Sequence, residues 1–341
     1  MTNRETMPLP LDDLQGDTKE GNDAPSDFRD LAFSSNRSEP VHRWVPWIAG
    51  YSRQFVTSAI DMHMDGPGAV LDPFAGVGTT LVEADRKGHE SVGFEINPYA
   101  AFAARTKLAA HLVDTERLRD AIGAFEYFAR DAERCGREPH ATPPSGFSTR
   151  AAFYSPEVQW KVLTAQDFIA GLSDYLVADF FRLAFASTMV TYSNYSYEPS
   201  LGRKATAGRP DVDDYPVFAE LAEKLTIMAA DADFWKGDRD NRQERRSKVH
   251  GASFFEFYKE VERESVDLLI TSPPYLNNYH YNRNTRPHLY WLGFCNSPKD
   301  FKKLEQRNFG TYWQTARDME PVSLDPAIAN NEIDSLVSDL R

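Results

Sequence analysis

The chain of 341 residues lacks the patterns that define several large classes of protein. Its two cysteines, Cys135 and Cys295, are too few and too far apart for a disulfide framework or a cysteine metal site. The eight histidines show no ligand spacing, so we expect no metal. No apolar run is long enough to span a membrane, and the N-terminus has no signal-peptide pattern. These absences predict a cytoplasmic protein with reduced thiols and no membrane partner.

Basic residues are also scarce, with 38 Lys and Arg against 51 Asp and Glu and a formal net charge of −13. Phosphate contacts need lysine and arginine, so this balance is unfavourable for a protein that binds DNA. The acidic residues are concentrated near the two ends of the chain, in residues 1–27 and from residue 318 onward. Such blocks are typical of solvated tails, and we interpret residues 1–27 as a disordered acidic tail.

Residues 70–80, Val-Leu-Asp-Pro-Phe-Ala-Gly-Val-Gly-Thr-Thr, predict a strand, a glycine turn and a helix that begins near Thr79 or Thr80. Gly76 and Gly78 allow a tight turn and a close approach to a ligand. There is no Gly-Lys-Ser/Thr ending, and the third glycine of the dinucleotide fingerprint is missing. Asp72, placed before the glycines, would repel a pyrophosphate and instead suits a cationic ligand such as a sulfonium or an ammonium.

Residues 91–98 predict a second strand that ends in a carboxylate, Glu95. In doubly wound folds an acidic residue at this place accepts hydrogen bonds from both ribose hydroxyls. The alternative is a solvated charge at a strand end. The order of strand, glycine turn, helix, strand and glutamate favours ribose binding.

Residues 271–275, Thr-Ser-Pro-Pro-Tyr, follow an apolar run at residues 266–270. The two prolines stiffen the backbone and remove two N–H donors, so the carbonyls there can face a ligand. Ser272 adds an acceptor, and Tyr275 offers a flat face for stacking on a base. Such a turn suits methylation of an exocyclic amino group, although Pro-Pro after an apolar run can also be a plain strand terminator.

Together the three motifs resemble those of the S-adenosylmethionine-dependent DNA amino-methyltransferases, which modify cytosine N4 or adenine N6. Residues 72–80 resemble the cofactor motif of that family, residues 95–98 its second motif, and residues 271–275 its catalytic motif in the form most typical of cytosine-N4 enzymes. Adenine-N6 members more often have Asp or Asn in place of Ser272. The resemblance spans roughly residues 28–295 and includes a lead-in at residues 40–52.

The resemblance implies an α/β fold, a Rossmann-like methyltransferase sheet with a helical insertion, that acts on double-stranded DNA with S-adenosylmethionine as cofactor. It implies direct methyl transfer to a flipped base that stacks on Tyr275, with the amino group bonded to Ser272 and to the Pro273 carbonyl. The catalytic set it implies is Ser272, Pro273, Pro274 and Tyr275. The cofactor-binding set is Asp72, Pro73, Phe74, Ala75, Gly76, Gly78, Thr79, Thr80, Glu95, Ile96 and Asn97.

Two basic stretches, residues 201–210 and 236–248, are candidates for phosphate contacts, although a basic run is more often a solvated face. Residues after the catalytic motif could line the base pocket. The DNA-binding candidates are Arg203, Lys204, Arg209, Asn277 and Tyr279.

The motifs divide the chain into a cofactor-binding half, a helical insertion, a catalytic part and a C-terminal extension or partner-binding tail. The corresponding ranges are 28–112, 113–248, 249–295 and 296–341. Helices are predicted over 100–112, 115–135, 156–172, 174–192 and 285–294, and the spacing of Trp44, Trp47, Tyr51 and Phe55 predicts one further helical face.

The 66 residues after Tyr275 contain no pattern typical of a buried strand, whereas a methyltransferase sheet continues beyond the catalytic motif. We therefore expect C-terminal strands to be missing, either because the reading frame is truncated or because a second polypeptide completes the fold, with a homodimer as another possibility. Three other functions stay open: adenine-N6 methylation, RNA amino-methylation, and a non-catalytic DNA-recognition or regulatory subunit.

Overall fold

A computed structural model describes residues 33–47, 50–197, 201–238, 247–274 and 281–308. Its strands are β1 (Ala69–Asp72), β2 (Glu90–Phe94), β3 (Tyr195–Tyr197), β4 (Leu201–Arg203), β5 (Lys248–His250) and β6 (Leu268–Leu269). Its helices are α1 (Arg53–His63), α2 (Thr79–Lys87), α3 (Pro98–Leu108), α4 (Thr115–Cys135), α5 (Pro156–Ala170), α6 (Tyr175–Thr188), α7 (Val217–Asp238), α8 (Tyr281–Asn284), α9 (Arg286–Trp291) and α10 (Pro298–Gln306).

Four strands form one parallel sheet in the order β5-β2-β1-β6. Val70 of β1 pairs with Leu268 of β6, and Asp72 pairs with Gly93 of β2. Because parallel strands share one carboxyl edge, the chain segments after β1, β2 and β6 meet there. The predicted α/β fold with a Rossmann-like parallel sheet is confirmed.

Two glycines allow the helices to pack closely against the sheet and against each other. A Cβ atom on Gly78, which has φ +83°, would lie 2.8 Å from the Cβ of Ala104 in α3. A Cβ atom on Gly93 would lie 2.6 Å from Leu81 Cδ1 in α2. Any other residue at either position would therefore push α2 or α3 away from its neighbours.

Helices α4 to α7 share one hydrophobic core with α3 and with the segment around Trp44. Phe125 of α4 lies at its centre, with ring centroids 5.3 Å from Phe168, 5.8 Å from Phe181 and 5.9 Å from Phe218. The predicted helix over 115–135 is confirmed with the same bounds. The sequence analysis did not predict α7 or the antiparallel β3–β4 hairpin.

The prediction that Trp44, Trp47, Tyr51 and Phe55 lie on one helical face is wrong. Trp44 ends a short 3₁₀ helix, whereas Phe55 lies in α1. Pro46 lacks the N–H that a continuing helix would use, and the Ser52 hydroxyl caps α1 by accepting the N–H of Phe55 at 3.1 Å.

The outer side of β6 has no partner strand within the described part of the chain, and Leu269 there is 52% exposed. In the same ranges, no helix combines the length and the apolar character needed to cross a membrane.

Candidate cofactor and catalytic site

Asp72 connects three segments at the carboxyl edge of the sheet. Its side chain, 1% exposed, accepts hydrogen bonds from the Tyr51 hydroxyl at 2.9 Å, the Thr271 hydroxyl at 2.8 Å and the Phe74 N–H at 3.1 Å. Tyr51 also hydrogen-bonds to the Thr80 hydroxyl at the start of α2. Burial raises the pKa of Asp72, and the hydrogen bonds from Thr271, Thr80 and Tyr51 oppose that rise. The carboxylate thus joins the lead-in, the glycine turn and the catalytic turn.

Glu95 follows β2 and bonds to the backbone on both sides of the site. One carboxylate oxygen accepts the Gly76 N–H at 2.9 Å, and the other accepts the Asn97 N–H at 2.7 Å. Burial raises the pKa of Glu95 to about 7, the charge of Asp72 raises it further, and the backbone N–H groups lower it. Each carboxylate oxygen has a second lone pair, so Glu95 can still accept hydrogen bonds from a ligand diol.

The glycine turn lies between these carboxylates, with Gly76 at φ +52°. A Cβ atom there would lie 3.1 Å from Trp47 Nε1, so the absence of a side chain leaves room for the indole. The Ala75 N–H donates to the Phe94 carbonyl at 2.9 Å, which fixes the turn on the end of β2. Pro73, Phe74, Thr79 and Thr80, predicted as cofactor residues, also lie in or directly after this turn.

Asn97 links the second motif to the helices that follow the catalytic turn. Its side-chain oxygen caps α3 by accepting the N–H groups of Tyr99 and Ala100. Its amide nitrogen donates to Asn282 Oδ1 at 3.0 Å and to Thr285 Oγ1 at 2.7 Å. The buried Asn97 side chain therefore forms hydrogen bonds to other protein groups. Its neighbour Ile96 is partly exposed beside Glu95.

The catalytic turn begins directly beside Asp72. The Ile270 N–H donates to the Leu71 carbonyl at 3.0 Å, which continues the β1–β6 pairing up to the bond between Thr271 and Asp72. Ser272 and Pro274 are partly exposed, and Pro273 is exposed. Three predicted site residues fall outside the described ranges: Tyr275, Asn277 and Tyr279.

The first basic stretch forms the hairpin strand β4 and a short 3₁₀ helix. Arg203 forms an ion pair with Asp211 at 2.6 Å, and Lys204 Nζ donates to the Thr191 carbonyl at 2.9 Å. Arg209 is exposed, and residues 239–246 of the second stretch lie outside the described ranges. DNA contact by Arg203, Lys204 and Arg209 stays a prediction.

Buried carboxylates on two helices hold the lead-in segment. Asp231 of α7 accepts the Val41 N–H at 2.9 Å and the Trp44 indole N–H at 2.8 Å. Glu83 of α2 lies 2.9 Å from His42 Nε2. These bonds place the lead-in, and with it Trp47 and Tyr51, over the glycine turn.

Trp47, Tyr51 and Thr271 are the functional candidates that the sequence analysis did not assign to the site. The aromatic run was a visible signal for the first two. The signal for Thr271 was its place in the catalytic motif, but its partner Asp72 is 199 positions away in the sequence.

Comparison with known proteins shows what this chain is similar to. Residues 1–105 match the N6_N4_Mtase family, described as DNA methylase. This match covers the lead-in, the glycine turn and Glu95, and similarity to the relatives below extends over most of the chain. The chain is thus similar over part of its length to this amino-methyltransferase family of DNA methylases, whose methyl donor is S-adenosylmethionine.

The individual relatives are all type II methyltransferases. M.BsoBI of Geobacillus stearothermophilus is 22% identical over 307 residues, covering 81% of this chain and 57% of the relative. M.AvaI of Nostoc sp. is 23% identical over 295 residues, covering 81% of this chain and 58% of the relative. M.MjaII of Methanocaldococcus jannaschii is 31% identical over 90 residues, covering 26% of this chain and 17% of the relative. The chain thus spans a little over half the length of the first two, and no solved structure matches it.

Proposed function

We propose that this protein transfers a methyl group from S-adenosylmethionine to the N4 amino group of cytosine in double-stranded DNA, as part of a type II restriction-modification system. The observation that carries the proposal is the bond between Thr271 and Asp72, 2.8 Å long. It brings Ser272 of the catalytic motif next to the glycine turn of the cofactor motif. The type II methyltransferase names of the relatives support the biological setting.

The residues at the carboxyl edge fit the methyl donor. Glu95 has lone pairs left for the ribose hydroxyls, and burial raises its pKa to about 7. The first turn of α2 presents backbone N–H groups beside the acidic Asp72. The site therefore offers hydrogen-bond donors for the negative group of a zwitterionic ligand and a carboxylate for its positive group. When bound, S-adenosylmethionine supplies an electrophilic methyl group on a sulfonium.

The catalytic turn would act by holding the target amino group. The Ser272 side chain and the Pro273 carbonyl accept its two hydrogens, which draws the nitrogen lone pair out of conjugation and directs it at the methyl carbon. The new C–N bond would form as the C–S bond breaks, the sulfur would leave as the neutral thioether of S-adenosylhomocysteine, and the nitrogen would release one proton to solvent. Positioning supplies most of the rate, and no cysteine nucleophile is needed.

Ser272 is the residue that favours cytosine N4, since the adenine-N6 members more often have Asp or Asn at this place. Purified protein would be incubated with methyl-labelled S-adenosylmethionine and DNA from an unmethylated host, and the digested nucleosides identified by mass spectrometry. We expect N4-methylcytosine from the wild type and none from Ser272→Ala, with cofactor affinity kept in the variant.

The alternatives predict different products when the same experiment is run with RNA beside the DNA. N6-methyladenine would replace the cytosine assignment with the adenine one. Label in RNA alone would favour an RNA amino-methyltransferase, and cofactor-independent DNA binding without label would favour a recognition subunit.

We further propose that a second polypeptide adds a strand to the outer edge of β6. Support comes from the exposed Leu269 at an edge that no described strand covers, because unpaired apolar edges tend to associate. Co-expression with the product of the neighbouring gene tests this, and we expect a stable complex with higher methyl transfer. A soluble, monomeric and fully active single chain would contradict it.

A further inference from the structure

The lead-in segment contains a strained turn of the backbone at Val41. This residue has φ +65° and ψ −44°, and the N–H of His42 donates to the carbonyl of Pro40 at 2.7 Å. The geometry is that of a γ-turn with a positive φ at its central residue, which is rare and strained. A β-branched side chain is poorly suited to a positive φ, so Val41 is an outlier that the surrounding fold must stabilise.

One buried carboxylate, Asp231 of α7, holds this turn. Its Oδ2 atom accepts the Val41 N–H at 2.9 Å and the Trp44 indole N–H at 2.8 Å. The Arg43 guanidinium donates to both oxygens, from Nε to Oδ2 at 3.0 Å and from its terminal NH2 to Oδ1 at 2.5 Å. Hydrogen bonds to a charged group are stronger than neutral ones, so these four bonds can offset the strain at Val41.

Further contacts fix the turn against helices α6 and α7. Val41 and Trp44 are fully buried, and the Trp44 ring packs edge-on against Phe180 of α6 with centroids 5.0 Å apart. Lys224 of α7 donates to the Arg43 carbonyl at 3.1 Å. A strained residue persists only where its surroundings fix it, and such strain is concentrated at functional sites.

The segment that follows the turn forms part of the candidate site. Trp47 lies over the glycine turn, since a Cβ atom on Gly76 would be 3.1 Å from Trp47 Nε1. The Tyr51 hydroxyl donates to Asp72 at 2.9 Å. Because Val41 precedes both aromatic residues closely in the chain, its conformation sets the position from which the lead-in enters the site.

We propose that Asp231 is a positioning residue for the methyl donor. It holds the strained turn at Val41 and thereby keeps Trp47 and Tyr51 at the glycine turn, where S-adenosylmethionine would bind. The inference rests on the proposed function for the identity of this ligand. It also gives the predicted helical insertion, residues 113–248, a role on the cofactor side of the protein.

The test combines loss of the carboxylate with relief of the strain. In Asp231→Asn the amide NH2 group faces N–H donors in either orientation, so the turn loses part of its support. The affinity for S-adenosylmethionine should fall by roughly 10- to 150-fold, the factor for one hydrogen bond to a charged group. Adding Val41→Gly should restore most of this affinity, because glycine adopts a positive φ without strain.

Two variants serve as controls. Val41→Ala, added to Asp231→Asn, removes the valine packing as glycine does but keeps a Cβ atom, so it should restore little. Asp233→Asn changes a carboxylate on the same helix that is 42% exposed, and it should leave the affinity unchanged. Calorimetry with S-adenosylmethionine measures the affinity without methyl transfer, and denaturant titration measures the stability of each variant. A merely structural role would change stability without a rescue of affinity by glycine.

Three results would overturn the assignment: wild-type affinity in Asp231→Asn, equal affinities in the glycine and alanine double variants, or no binding of S-adenosylmethionine by the wild type. If Asp231→Asn does not fold, Arg43→Met takes its place with the same pair of second substitutions, since it removes two of the four bonds at a side chain that is 34% exposed. A wild type that binds S-adenosylmethionine but methylates no DNA would refute the proposed function alone and leave this test valid.

Discussion

The cofactor half and the catalytic strand are held in different ways. In the cofactor half, β1 and β2 pair over four residues, from Ala69 opposite Glu90 to Asp72 opposite Gly93. The catalytic strand β6 pairs over two residues, with flanking backbone hydrogen bonds from Asp267 and Ile270, and its Leu269 is exposed. Backbone pairing and core packing therefore fix the cofactor turn, whereas the catalytic turn depends more on the side-chain bond from Thr271 to Asp72.

The two carboxylates of the site show the same contrast. Glu95 bonds to the N–H groups of Gly76 and Asn97, both close to it in the fold of its own half. Asp72 bonds to hydroxyls of Tyr51 and Thr271, which come from other segments. We infer that Glu95 serves mainly the ligand, while Asp72 serves mainly the assembly of the site.

Replacement of Asp72 tests this contrast with the largest expected effect. In Asp72→Asn one oxygen becomes a donor, so the Tyr51 and Thr271 hydroxyls cannot both be accepted. One hydrogen bond to a charged group is lost, at about 1.5–3 kcal/mol, and the hydroxyl left without its acceptor costs about 1–3 kcal/mol more in desolvation, so the free energy of unfolding should fall by about 2.5–6 kcal/mol. Methyl transfer should fall more than cofactor affinity does. Denaturant titration and cofactor calorimetry measure both, with the exposed Asp61→Asn as control.

Wild-type stability in Asp72→Asn would show that the carboxylate does not hold the two halves together.

Gly78→Ala tests how firmly packing fixes the cofactor half. The substitution combines a φ of +83° with a Cβ contact of 2.8 Å to Ala104. Left-handed strain of about 1–2 kcal/mol and overpacking of about 1–3 kcal/mol predict a loss of about 2–5 kcal/mol in the free energy of unfolding. Gly136→Ala is the matched control, because Gly136 has φ +59° and nothing within 4 Å. Equal losses in the two variants would mean that the close contact of α2 with α3 contributes nothing.

The protonation of Glu95 gives a pH-dependent prediction for the ligand side. The pKa of Glu95 is raised to about 7 from an ordinary value of 4.5, so this group makes the folded protein less stable as pH rises between those values. Ribose hydroxyls donate to the ionised form, so cofactor affinity should increase as pH rises through about 7. Glu95→Gln should flatten this profile and weaken binding by about 1.5–3 kcal/mol at pH 8.

Calorimetry from pH 6 to pH 8.5 measures the profile. A wild-type affinity that does not change with pH would remove Glu95 from the cofactor site.

The parts of the fold that the sequence predicted are those fixed by local pattern. The strand, glycine turn and helix over 70–80 follow from residues next to each other, and the helix over 115–135 follows from its apolar spacing. Helix α7 also has buried apolar residues at helical spacing, namely Leu221, Leu225, Met228 and Ala232. The sequence therefore contained a pattern that predicts this helix, although the sequence analysis considered only the basic stretches on either side of it.

The contacts that build the site could not be predicted in the same way. Tyr51 and Asp72 are 21 positions apart, and Thr271 and Asp72 are 199 apart, so neither pairing leaves a periodic signal. The motif order predicted which segments meet at the carboxyl edge of the sheet. Which hydroxyl would bond to which carboxylate oxygen depends on the packing of all three segments.

Thr271→Val tests the side-chain bond of the catalytic strand, with the smallest expected effect on stability. Valine keeps the shape of threonine but removes the hydroxyl that donates to Asp72, so we expect a loss of about 1.5–3 kcal/mol in the free energy of unfolding. The kcat should fall several-fold while cofactor affinity stays constant, and Thr271→Ser should restore it. The double variant with Tyr51→Phe should show a non-additive loss, because both hydroxyls bond to the same carboxylate. Wild-type kcat in Thr271→Val together with a loss in Thr271→Ser would mean that the γ-methyl group, rather than the hydroxyl, positions the catalytic turn, and the two halves would then be joined by packing alone.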